Sequence, residues 1–531
     1  MILLIHPPVV KPSEPPAGIG KLCGVLRNAG INVSILDANL EGLLHLFGMG
    51  ADLHQEKRDR WTERASRNLH RHLNTIRDLQ AYRYPDAYRR AVSDLGRLLE
   101  RSSASFDSGA LVSLGNFKHE QLSPVRSADL IQSAEMPKKN PFYSWFSKRL
   151  KISLDFNEMP FVGFSLNYLS QALTAFAMVG FLKKECSQIK ILLGGGLVTS
   201  WLSSPEWRKP FQGLVDYIIA GPGEEPLLAL LRSSIPSSKS ETSGILSIRE
   251  ERNEEAAAGN GDSAPDYSDF PLSQYLSPGT ILPYAASRGC WWRKCLFCPE
   301  TAEGNPCRAV PPGKVLADLA VLTAGMQPTM IHLLDNALSP NLLEELSNHP
   351  PDASWYGFAR LTEHLTDEGF CASLKRARCA MIKVGLESGD QNVLDNLEKG
   401  IRLDTASHVL KTLAKVGIAV YVYLLFGTPS EDEKAARRTL SFIVEHADHI
   451  RFLNVAVFNL PVFAASAFQI EPREFYQGDL SLYMDFPHPR GWGRLKVRTF
   501  LDQEFRRHPA VAPILRNNPP VFTSNHAPFF V

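Results

Sequence analysis

Three cysteines lie close together near the middle of the chain, at Cys290, Cys295 and Cys298. They follow an apolar segment, Ile281–Ala286, that is predicted to be a buried β-strand, so the three thiols should share one loop. Thiolates clustered on a loop of an intracellular protein are usually metal ligands. Four cysteines would occupy every iron of a four-iron cluster, whereas three leave one iron able to bind another molecule. The triplet therefore predicts a cluster that takes part in chemistry.

A structural zinc site is the alternative for the same cysteines. Zinc in such sites usually has four protein ligands. Only one further cysteine, Cys307, lies nearby, and it is not part of a second pair. The triplet favours an iron–sulfur cluster, and zinc with Cys307 as the fourth ligand stays open.

The cysteine spacing resembles that of the radical S-adenosylmethionine (radical SAM) superfamily, whose usual pattern is C-x3-C-x2-C with an aromatic residue before the last cysteine. Phe297 is that aromatic residue here, and the first gap is longer by one residue, Trp291–Lys294. A longer gap preceded by Ser-Arg-Gly is similar to a subgroup that also carries a cobalamin-binding domain. The resemblance implies a [4Fe–4S] cluster on the three cysteines, with S-adenosyl-L-methionine (SAM) bound at the open iron.

Composition places few limits on function but several on cellular context. With 531 residues the chain should form two or three domains, and 44% hydrophobic and 21% charged residues are ordinary for a globular protein. The net charge of +1 gives no reason to expect nucleic acid as a partner. Met1–Pro8 lacks the basic start of a signal peptide, and no apolar run approaches the roughly 18 residues of a membrane span. Scattered cysteines outside the triplet favour a reducing compartment, so a cytoplasmic protein is predicted.

Residues 1–232 alternate between strand-like and helix-like segments, which predicts an α/β fold with a Rossmann-like, doubly wound parallel sheet. The predicted strands are Ile2–Ile5, Ile31–Leu36, Phe161–Leu166, Ile189–Leu193 and Val215–Ala220. Such sheets bind ligands beyond the carboxyl ends of their strands. A helix-rich insertion at 41–159 interrupts the pattern. Solvated helices with an apolar stripe (Leu95, Leu98, Leu99) and a lid or substrate-docking subdomain are both open interpretations of it.

This first domain resembles the cobalamin-binding domains that precede many radical SAM barrels. The resemblance implies that cobalamin lies against residues at the strand ends, namely Asn39, Ser165, Asn167, Gly194, Gly195, Gly196 and Gly221. The family motif Asp-x-His-x-x-Gly, which supplies a histidine to cobalt, is absent, because Asp52-Leu-His54 is followed by Gln-Glu-Lys. We therefore expect any bound cobalamin to have no histidine ligand.

Residues 233–264 are rich in Ser, Glu, Ala and Gly and are predicted to be a linker with one short strand at Gly244–Ile248. Six β/α units follow at 265–460, which predicts a partial (β/α)6 barrel with its active-site loops at the carboxyl ends of the strands. Its predicted strands are Ile281–Ala286, Met330–Leu334, Trp355–Phe358, Met381–Val384, Ala419–Phe426 and Phe452–Phe458. Residues 461–531 have a weaker pattern and are predicted to cap the barrel and to contribute to the substrate region.

Several barrel segments are similar to radical SAM barrels at matching places. The resemblance implies a set of SAM-binding residues, Phe297, Asp335, Arg360, Glu387, Ser388, Gly427 and Pro429. Glu387 and Ser388 follow Gly-Leu in the fourth strand, and Gly427–Glu431 resembles a Gly-x-Pro-x-Glu turn. SAM presents a carboxylate, an amine, a ribose diol and an adenine, which suits such a mixture of charged, hydroxyl and apolar groups.

The resemblance as a whole implies a cobalamin-dependent radical SAM enzyme. Such an enzyme cleaves SAM reductively to a 5′-deoxyadenosyl radical and methylates an unactivated carbon of a small molecule or a peptide. Its electron donor would be a reductase, flavodoxin or ferredoxin, with neither nucleic acid nor membrane as a partner. Two alternatives stay open: a radical SAM rearrangement or coupling enzyme with a non-functional cobalamin domain, and a non-catalytic metal-binding protein.

Overall fold

The computed structural model describes residues 1–52, 59–107, 109–153, 160–204, 207–233, 246–249, 263–474, 477–520 and 527–530. His54, in the sequence that replaces the cobalt-ligating motif, lies outside these ranges. The chain forms two compact units. The N-terminal unit comprises Met1–Ser277 and Gln477–Leu482, and the barrel unit comprises Pro278–Tyr476 and Tyr483–Val531.

The N-terminal unit is built around a six-stranded sheet in the order β2-β1-β5-β6-β7-β8, and every neighbouring pair is parallel. Its strands are β1 (Ile2–Ile5), β2 (Val33–Leu36), β5 (Phe161–Ser165), β6 (Lys190–Gly194), β7 (Tyr217–Ala220) and β8 (Leu246–Arg249); β3 (Ala110–Val112) and β4 (Phe117–His119) form a separate hairpin. The Ile-Leu-Leu-Ile sequence of β1 is buried at every position, as expected of a strand covered on both faces. The strand order reverses between β1 and β5, which is where doubly wound sheets open a ligand crevice.

Helices cover the sheet and form the insertion. They are α1 (Ala17–Asn28), α2 (Ala38–Asp52), α3 (Arg60–Arg67), α4 (Leu69–Arg77), α5 (Pro85–Phe106), α6 (Ser127–Glu135), α7 (Tyr143–Ser153), α8 (Leu169–Glu185), α9 (Gly196–Ser203) and α10 (Glu224–Ser233). The apolar stripe of α5 is fully buried. One buried carboxylate, Asp94, links this helix to α3, accepting from Trp61 Nε1 at 2.7 Å and Arg64 Nη2 at 2.9 Å.

A short segment from far along the chain completes the N-terminal unit. This segment, Gln477–Leu482, is called the strap below and packs on the loop before α6. Arg126 Nε donates to the carbonyl of Gln477 at 2.7 Å, and the amide of Leu480 donates to the carbonyl of Val125 at 3.0 Å. Gly478 approaches Val125 so closely that a Cβ there would lie 2.1 Å from the Val125 carbonyl oxygen.

The barrel unit contains six parallel strands in the order β16-β15-β14-β13-β12-β9, with β9 and β16 at the two edges. These strands are β9 (Ile281–Tyr284), β12 (Met330–Leu338), β13 (Ser354–Ala359), β14 (Cys379–Glu387), β15 (Ala419–Phe426) and β16 (Phe452–Val457). The shorter strands are β10 (Ser287–Arg288), β11 (Arg308–Ala309), β17 (Leu460–Pro461), β18 (Arg473–Glu474) and β19 (Tyr483–Asp485). The helices are α11 (Pro299–Ala302), α12 (Pro312–Met326), α13 (Pro340–Asn348), α14 (Glu368–Arg376), α15 (Gln391–Asn396), α16 (Leu403–Lys415), α17 (Glu433–Glu445), α18 (Arg494–Phe500) and α19 (Val511–Asn517).

The two faces of the barrel sheet can be told apart by alternation along β13. Trp355 lies on the outer face, where its indole donates to the carbonyl of Ala377 at 2.8 Å, next to the end of α14. Tyr356 therefore lies on the inner face. At the amino ends of the strands this face is closed by a buried cluster of Met330, Tyr356, Ala380, Met381, Tyr421, Phe452 and Ala527. Ala527 belongs to the single turn Ala527–Phe530, whose Phe530 ring lies 5.6 Å from that of Phe452.

The predicted fold class, an α/β chain with a doubly wound parallel sheet followed by a partial barrel, is confirmed. The short strand predicted at Gly244–Ile248 is present as β8, and it adds a sixth strand to the N-terminal sheet. Within the described ranges, no helix has the length and apolar character that crossing a membrane requires.

Candidate functional site

The three cysteines lie on a loop, Gly289–Cys298, that leaves the barrel just after β9 and β10; it is called the cluster loop below. Its entry is fixed by Asp335 of β12, a carboxylate that is 2% exposed. Asp335 accepts a hydrogen bond from the amide of Ala286 at 3.0 Å and another from the hydroxyl of Ser287. Burial raises the pKa of Asp335. The carboxylate predicted to contact SAM thus holds the start of the cluster loop.

Two tryptophans fasten the first half of the loop to the barrel. Trp291 donates through Nε1 to the carbonyl of Leu338 at 3.3 Å, and Trp292 donates to the carbonyl of Glu398 at 3.0 Å. The Trp292 ring lies directly on Gly400, where a Cβ would be 2.0 Å from the indole. Gly400 also has a φ of +64°, a left-handed conformation that glycine adopts without strain. Only glycine suits this position.

The three thiols are free, with Cys295 buried and Cys290 and Cys298 half-buried. Burial raises the pKa of Cys295 and of Cys298. Arg360, at the carboxyl end of β13, places Nη1 4.0 Å from the sulfur of Cys295. Its guanidinium also stacks 4.1 Å from the centre of the Trp292 ring and donates to the carbonyl of Lys399. A buried cation beside thiol sulfurs suits an anionic iron–sulfur cluster, whose potential depends on nearby charge and hydrogen bonding.

Cys307 lies beside the cluster loop as well. Antiparallel pairing of β10 with β11 brings it next to Gly289, where a Cβ would lie 3.2 Å from the Cα of Cys307. Over the described residues, no group of three or more His, Cys, Asp or Glu side chains could hold a single metal ion. A cube of four irons and four sulfides is larger than one ion, so its ligands stand farther apart.

Glu387 and Lys399 form an ion pair at the carboxyl end of β14. Glu387 Oε1 lies 2.8 Å from Lys399 Nζ, and the two side chains are 12% and 10% exposed. Glu387 has a φ of +65°, which is uncommon for a residue with a side chain and is often found where function requires it. Lys399 Nζ also lies 5.4 Å from the centre of the Phe297 ring. The pair therefore joins the fourth strand to the cluster loop.

The remaining predicted SAM residues lie in turns beyond β14 and β15. Ser388 is fully buried, and its hydroxyl lies 3.1 Å from that of Thr439 and accepts from the amide of Asp390 at 3.2 Å. Gly427 has a φ of +80°, and its amide donates a hydrogen bond to the Glu431 carboxyl group. Pro429, in the same turn, is buried.

Glu431 is itself unusual, because it is a carboxyl only 1% exposed. Burial raises its pKa to about 8. One oxygen accepts from Gly427 and, at 3.1 Å, from Trp492 Nε1, while Oε1 makes no hydrogen bond to the described protein atoms.

The structure brings Cys290, Cys295, Cys298, Phe297, Arg360 and Glu387 together around the cluster loop. Asp335 instead holds the start of the loop, and Ser388 is hydrogen-bonded to Thr439 and Asp390. Sequence reasoning did not single out Trp292 or Lys399 as site residues. A tryptophan pair inside a cysteine loop and a Lys-Gly step could have indicated them.

In the N-terminal unit, three of the predicted strand-end residues, Ser165, Asn167 and Gly196, are joined by hydrogen bonds. Asn167 donates through Nδ2 to the hydroxyl of Ser165 at 3.1 Å and accepts at Oδ1 from the amide of Gly196 at 3.0 Å. The amide of Gly221 donates to Thr199 Oγ1 at 2.9 Å. Asn39 lies elsewhere on this edge, buried, and accepts from the amide of Val10 at 2.8 Å.

The glycines of this edge leave space for a ligand. A Cβ at Gly196 would have nothing closer than 3.8 Å, and one at Gly221 would have nothing within 4 Å. Gly195 differs, since its φ is +105° and a Cβ there would lie 2.3 Å from the Leu166 carbonyl oxygen, so local geometry alone accounts for the glycine. Just beyond, Glu225 Oε1 is buried without a hydrogen-bond partner among the described residues. Open backbone and an acceptor oxygen fit the amide-bearing rim of a corrin.

Comparisons with known proteins found similarity over parts of this chain. Residues 284–443 match the model of the radical SAM superfamily. An uncharacterized methyltransferase of Pyrococcus horikoshii, PH0819, is 23% identical over 287 residues, which cover 50% of this chain and 60% of that protein. The matched region thus spans less than two thirds of that relative.

Two solved structures are also similar. The radical SAM methyltransferase TsrM from Kitasatospora setae, with cobalamin and a [4Fe–4S] cluster bound, has a TM-score of 0.48 at 15% identity, covering 87% of this chain and 72% of TsrM. The cobalamin-dependent enzyme OxsB, with aqua-cobalamin and SAM bound, has a TM-score of 0.49 at 14% identity, covering 88% of this chain and 54% of OxsB. Both TM-scores are below 0.5, so neither structure is used to assign a function to this chain. The match at residues 284–443 contains the cluster loop, so this segment of the chain is similar to the radical SAM superfamily.

Proposed function

We propose that this protein is a cobalamin-dependent radical SAM enzyme that methylates an unactivated carbon of its substrate. The observation that supports it best is the cluster loop, where three free thiols lie beside a buried cation and within reach of the Glu387–Lys399 pair. When bound, a [4Fe–4S] cluster supplies one electron and an open iron for the amine and carboxylate of SAM.

The chain's own residues would then position SAM. Arg360 stabilises negative charge next to Cys295, and Glu387 offers an acceptor to the ribose diol. Phe297 is half-buried and packs against two apolar groups, Val393–Leu397–Ala435 and Phe458–Leu460–Ala464. It can thereby hold an apolar wall for the adenine. SAM, when bound there and reduced by one electron, would supply a 5′-deoxyadenosyl radical able to take a hydrogen atom from the substrate, with methionine as the other product of the C5′–S cleavage.

Cobalamin, when bound, supplies a carrier for the methyl group. Gly196 and Gly221 leave room for it, and Asn167 and Glu225 offer polar contacts. A small molecule or a peptide is the proposed substrate, and a flavodoxin- or ferredoxin-type reductant the proposed electron donor.

The test uses the full-length protein, reconstituted anaerobically with iron, sulfide and cobalamin. Reduced protein incubated with SAM should release 5′-deoxyadenosine, and SAM carrying a deuterated methyl group should label the bound cobalamin. Deoxyadenosine without any labelled cobalamin would favour the rearrangement or coupling alternative. Tightly bound zinc in place of iron would favour a non-catalytic metal site.

A further inference from the structure

The solvent-facing side of the cluster loop carries two exposed cations, Arg293 and Lys294. They stand directly before Cys295 in the chain, so both belong to the loop that holds the three cysteines. Among the residues that the structure describes, no carboxylate forms an ion pair with either side chain. Other exposed cations of the barrel unit do pair, as Lys415 does with Glu368 at 2.6 Å. The loop therefore presents two positive charges that no described carboxylate neutralises.

The charges around the loop add to this positive surface. The segment 287–309, which runs from β10 through the cluster loop to β11, contains four cations and two acids: Arg288, Arg293, Lys294, Arg308, Glu300 and Glu303. Four positive and two negative charges give the segment a net charge of +2. Both carboxylates accept hydrogen bonds from Asn305 and are half-buried. One further exposed acid, Glu398, lies on the turn that Trp292 contacts, and it does not cancel the surplus.

Lys294 begins a chain of contacts that ends at a cluster cysteine. Its ammonium lies 5.0 Å from the centre of the Trp292 ring, a cation–π contact that holds the lysine against the loop. The guanidinium of Arg360 lies 4.1 Å from the centre of the same ring. Arg360 in turn places Nη1 4.0 Å from the sulfur of Cys295. The half-buried Trp292 therefore stands between an exposed cation and the site of the cluster.

Arg293 lies close to a second cysteine of the triplet. Arg293 and Cys290 line one small pocket together with Glu300 and Asn305. Arg293 also has a φ of +53°, which is uncommon for a residue with a side chain, and its side chain remains exposed. Both cations of the loop are thus near cysteines of the triplet. A protein that bound to them would come close to the cluster without entering the barrel.

We propose that the solvent-facing side of the cluster loop is the docking surface for the electron donor, a small carrier protein of the flavodoxin type with acidic residues around its exposed flavin edge. Opposite charges speed the encounter of two proteins and set their orientation, which here brings the flavin toward Trp292. One electron leaves the anionic flavin hydroquinone, which becomes the neutral radical, and the oxidised cluster takes that electron without any proton transfer. This inference rests on the proposed function, because it names the partner of the same site.

The experiment measures the affinity of oxidised bacterial flavodoxin for the full-length, cluster-loaded protein by anaerobic calorimetry. Both partners are oxidised, so no electron moves during the measurement. Raising the salt concentration from about 0.05 M to about 0.5 M should weaken the wild-type complex, because salt screens exposed charges. The double variant Arg293→Glu with Lys294→Glu should bind roughly tenfold more weakly than the wild type. The milder pair Arg293→Gln with Lys294→Gln should lose less affinity and show less dependence on salt.

Lys411→Glu is the control, since Lys411 is exposed on α16, away from the loop in sequence, and it should leave the affinity unchanged. Iron content, and reduction by photoreduced 5-deazariboflavin, a small neutral reductant, report whether each cluster is intact. If the glutamate variant loses iron, the glutamine variant and the salt dependence of the wild type decide the question.

Equal affinity of the wild type and the loop variants, or no binding of flavodoxin to the wild type, overturns the inference. Failure of the wild-type protein to cleave SAM with photoreduced 5-deazariboflavin would instead overturn the proposed function. The calorimetry does not depend on that result.

Discussion

Neighbouring charged residues at the cluster loop have different tasks. Asp335 accepts two hydrogen bonds that hold the start of the cluster loop in place, whereas Arg360 lies beside the sulfur of Cys295. Glu387 accepts from Lys399 through Oε1. From the sequence alone, Asp335, Arg360 and Glu387 were all predicted to bind SAM.

Replacing any one cysteine of the triplet by alanine should abolish the cluster, because each supplies one thiolate. Anaerobically reconstituted wild-type protein should carry about four irons per chain, and each variant should carry far fewer. Cys307→Ala is the matched control, since it removes a half-buried cysteine beside the same loop. Loss of metal in the Cys307 variant, with zinc in the wild type, would contradict the iron–sulfur assignment.

Glu387→Gln should weaken SAM binding roughly tenfold while leaving the iron content unchanged. The amide keeps the shape of the carboxylate and can still accept from Lys399, but it carries no charge. Equilibrium dialysis with radiolabelled SAM measures the affinity, and the cluster absorption spectrum measures integrity. A variant that loses iron would show that Glu387 is structural instead.

The cysteine triplet could be predicted to bind a metal cluster from the sequence, because that prediction depends only on the spacing of the three cysteines. The requirement for glycine at Gly400 could not, because it comes from the Trp292 ring, which the fold brings against this residue from a distant part of the chain.

At the scale of elements, the cluster loop depends on a turn more than a hundred residues away in sequence. Trp292 and Glu398 are joined by a hydrogen bond across 106 residues, and Gly400 lies beneath the same indole. The turn after α15 therefore supports the cluster loop by packing against Trp292.

Gly400→Ala should displace Trp292 and prevent cluster assembly, because the new methyl group would lie 2.0 Å from the indole. Gly417→Ala is a closely matched control, with a similar φ of +79° and only Lys375 Cε nearby at 3.8 Å. Both variants incur a backbone cost of about 1 kcal/mol. Iron content after reconstitution should fall in the first variant alone. Equal iron in both would mean that the loop does not need this contact.

Glu431 should make stability depend on pH. Its pKa rises from the usual 4.5 to about 8 on folding, so between these values the folded state holds a proton that the unfolded state has lost. Stability is therefore highest below the unfolded pKa and falls as pH rises toward 8, by at most about 1.4 kcal/mol per pH unit. Denaturant unfolding from pH 4.5 to 8 should show a steeper fall in the wild type than in Glu431→Gln. Parallel curves would show that the carboxyl is ionised in the folded protein.

The order and type of the barrel elements followed from hydrophobic patterning, and β15 was predicted with its correct bounds. The strands β12 and β14 run several residues beyond their predicted ends. Their extensions contain Asp335, Asn336 and Glu387, polar residues that normally mark a turn. Pairing with the neighbouring strand, as between Leu338 and Ala359, keeps the backbone extended there.

At the scale of the whole molecule, the N-terminal unit should bind cobalamin without a histidine ligand. The reconstituted protein should show a base-off absorption spectrum. Gly221→Val should weaken binding roughly tenfold, because its side chain would fill the space beyond β7. Gly30→Val is the control, with a similar φ of +73°, equally open surroundings and a position before β2, at the opposite ends of the strands. Equal loss in both variants, or a spectrum with a nitrogen ligand, would contradict this site.

Because of the strap, the N-terminal unit cannot be completed early in synthesis. Arg126 and Gln477 are separated by 351 residues, yet they belong to one compact unit. A ribosome must therefore translate nearly all of the barrel before the first unit can acquire its last segment. Until then the carbonyl of Val125 and the guanidinium of Arg126 lack their partners from the strap. The nascent N-terminal unit should consequently remain more susceptible to proteases and chaperones than its position at the start of the chain would suggest.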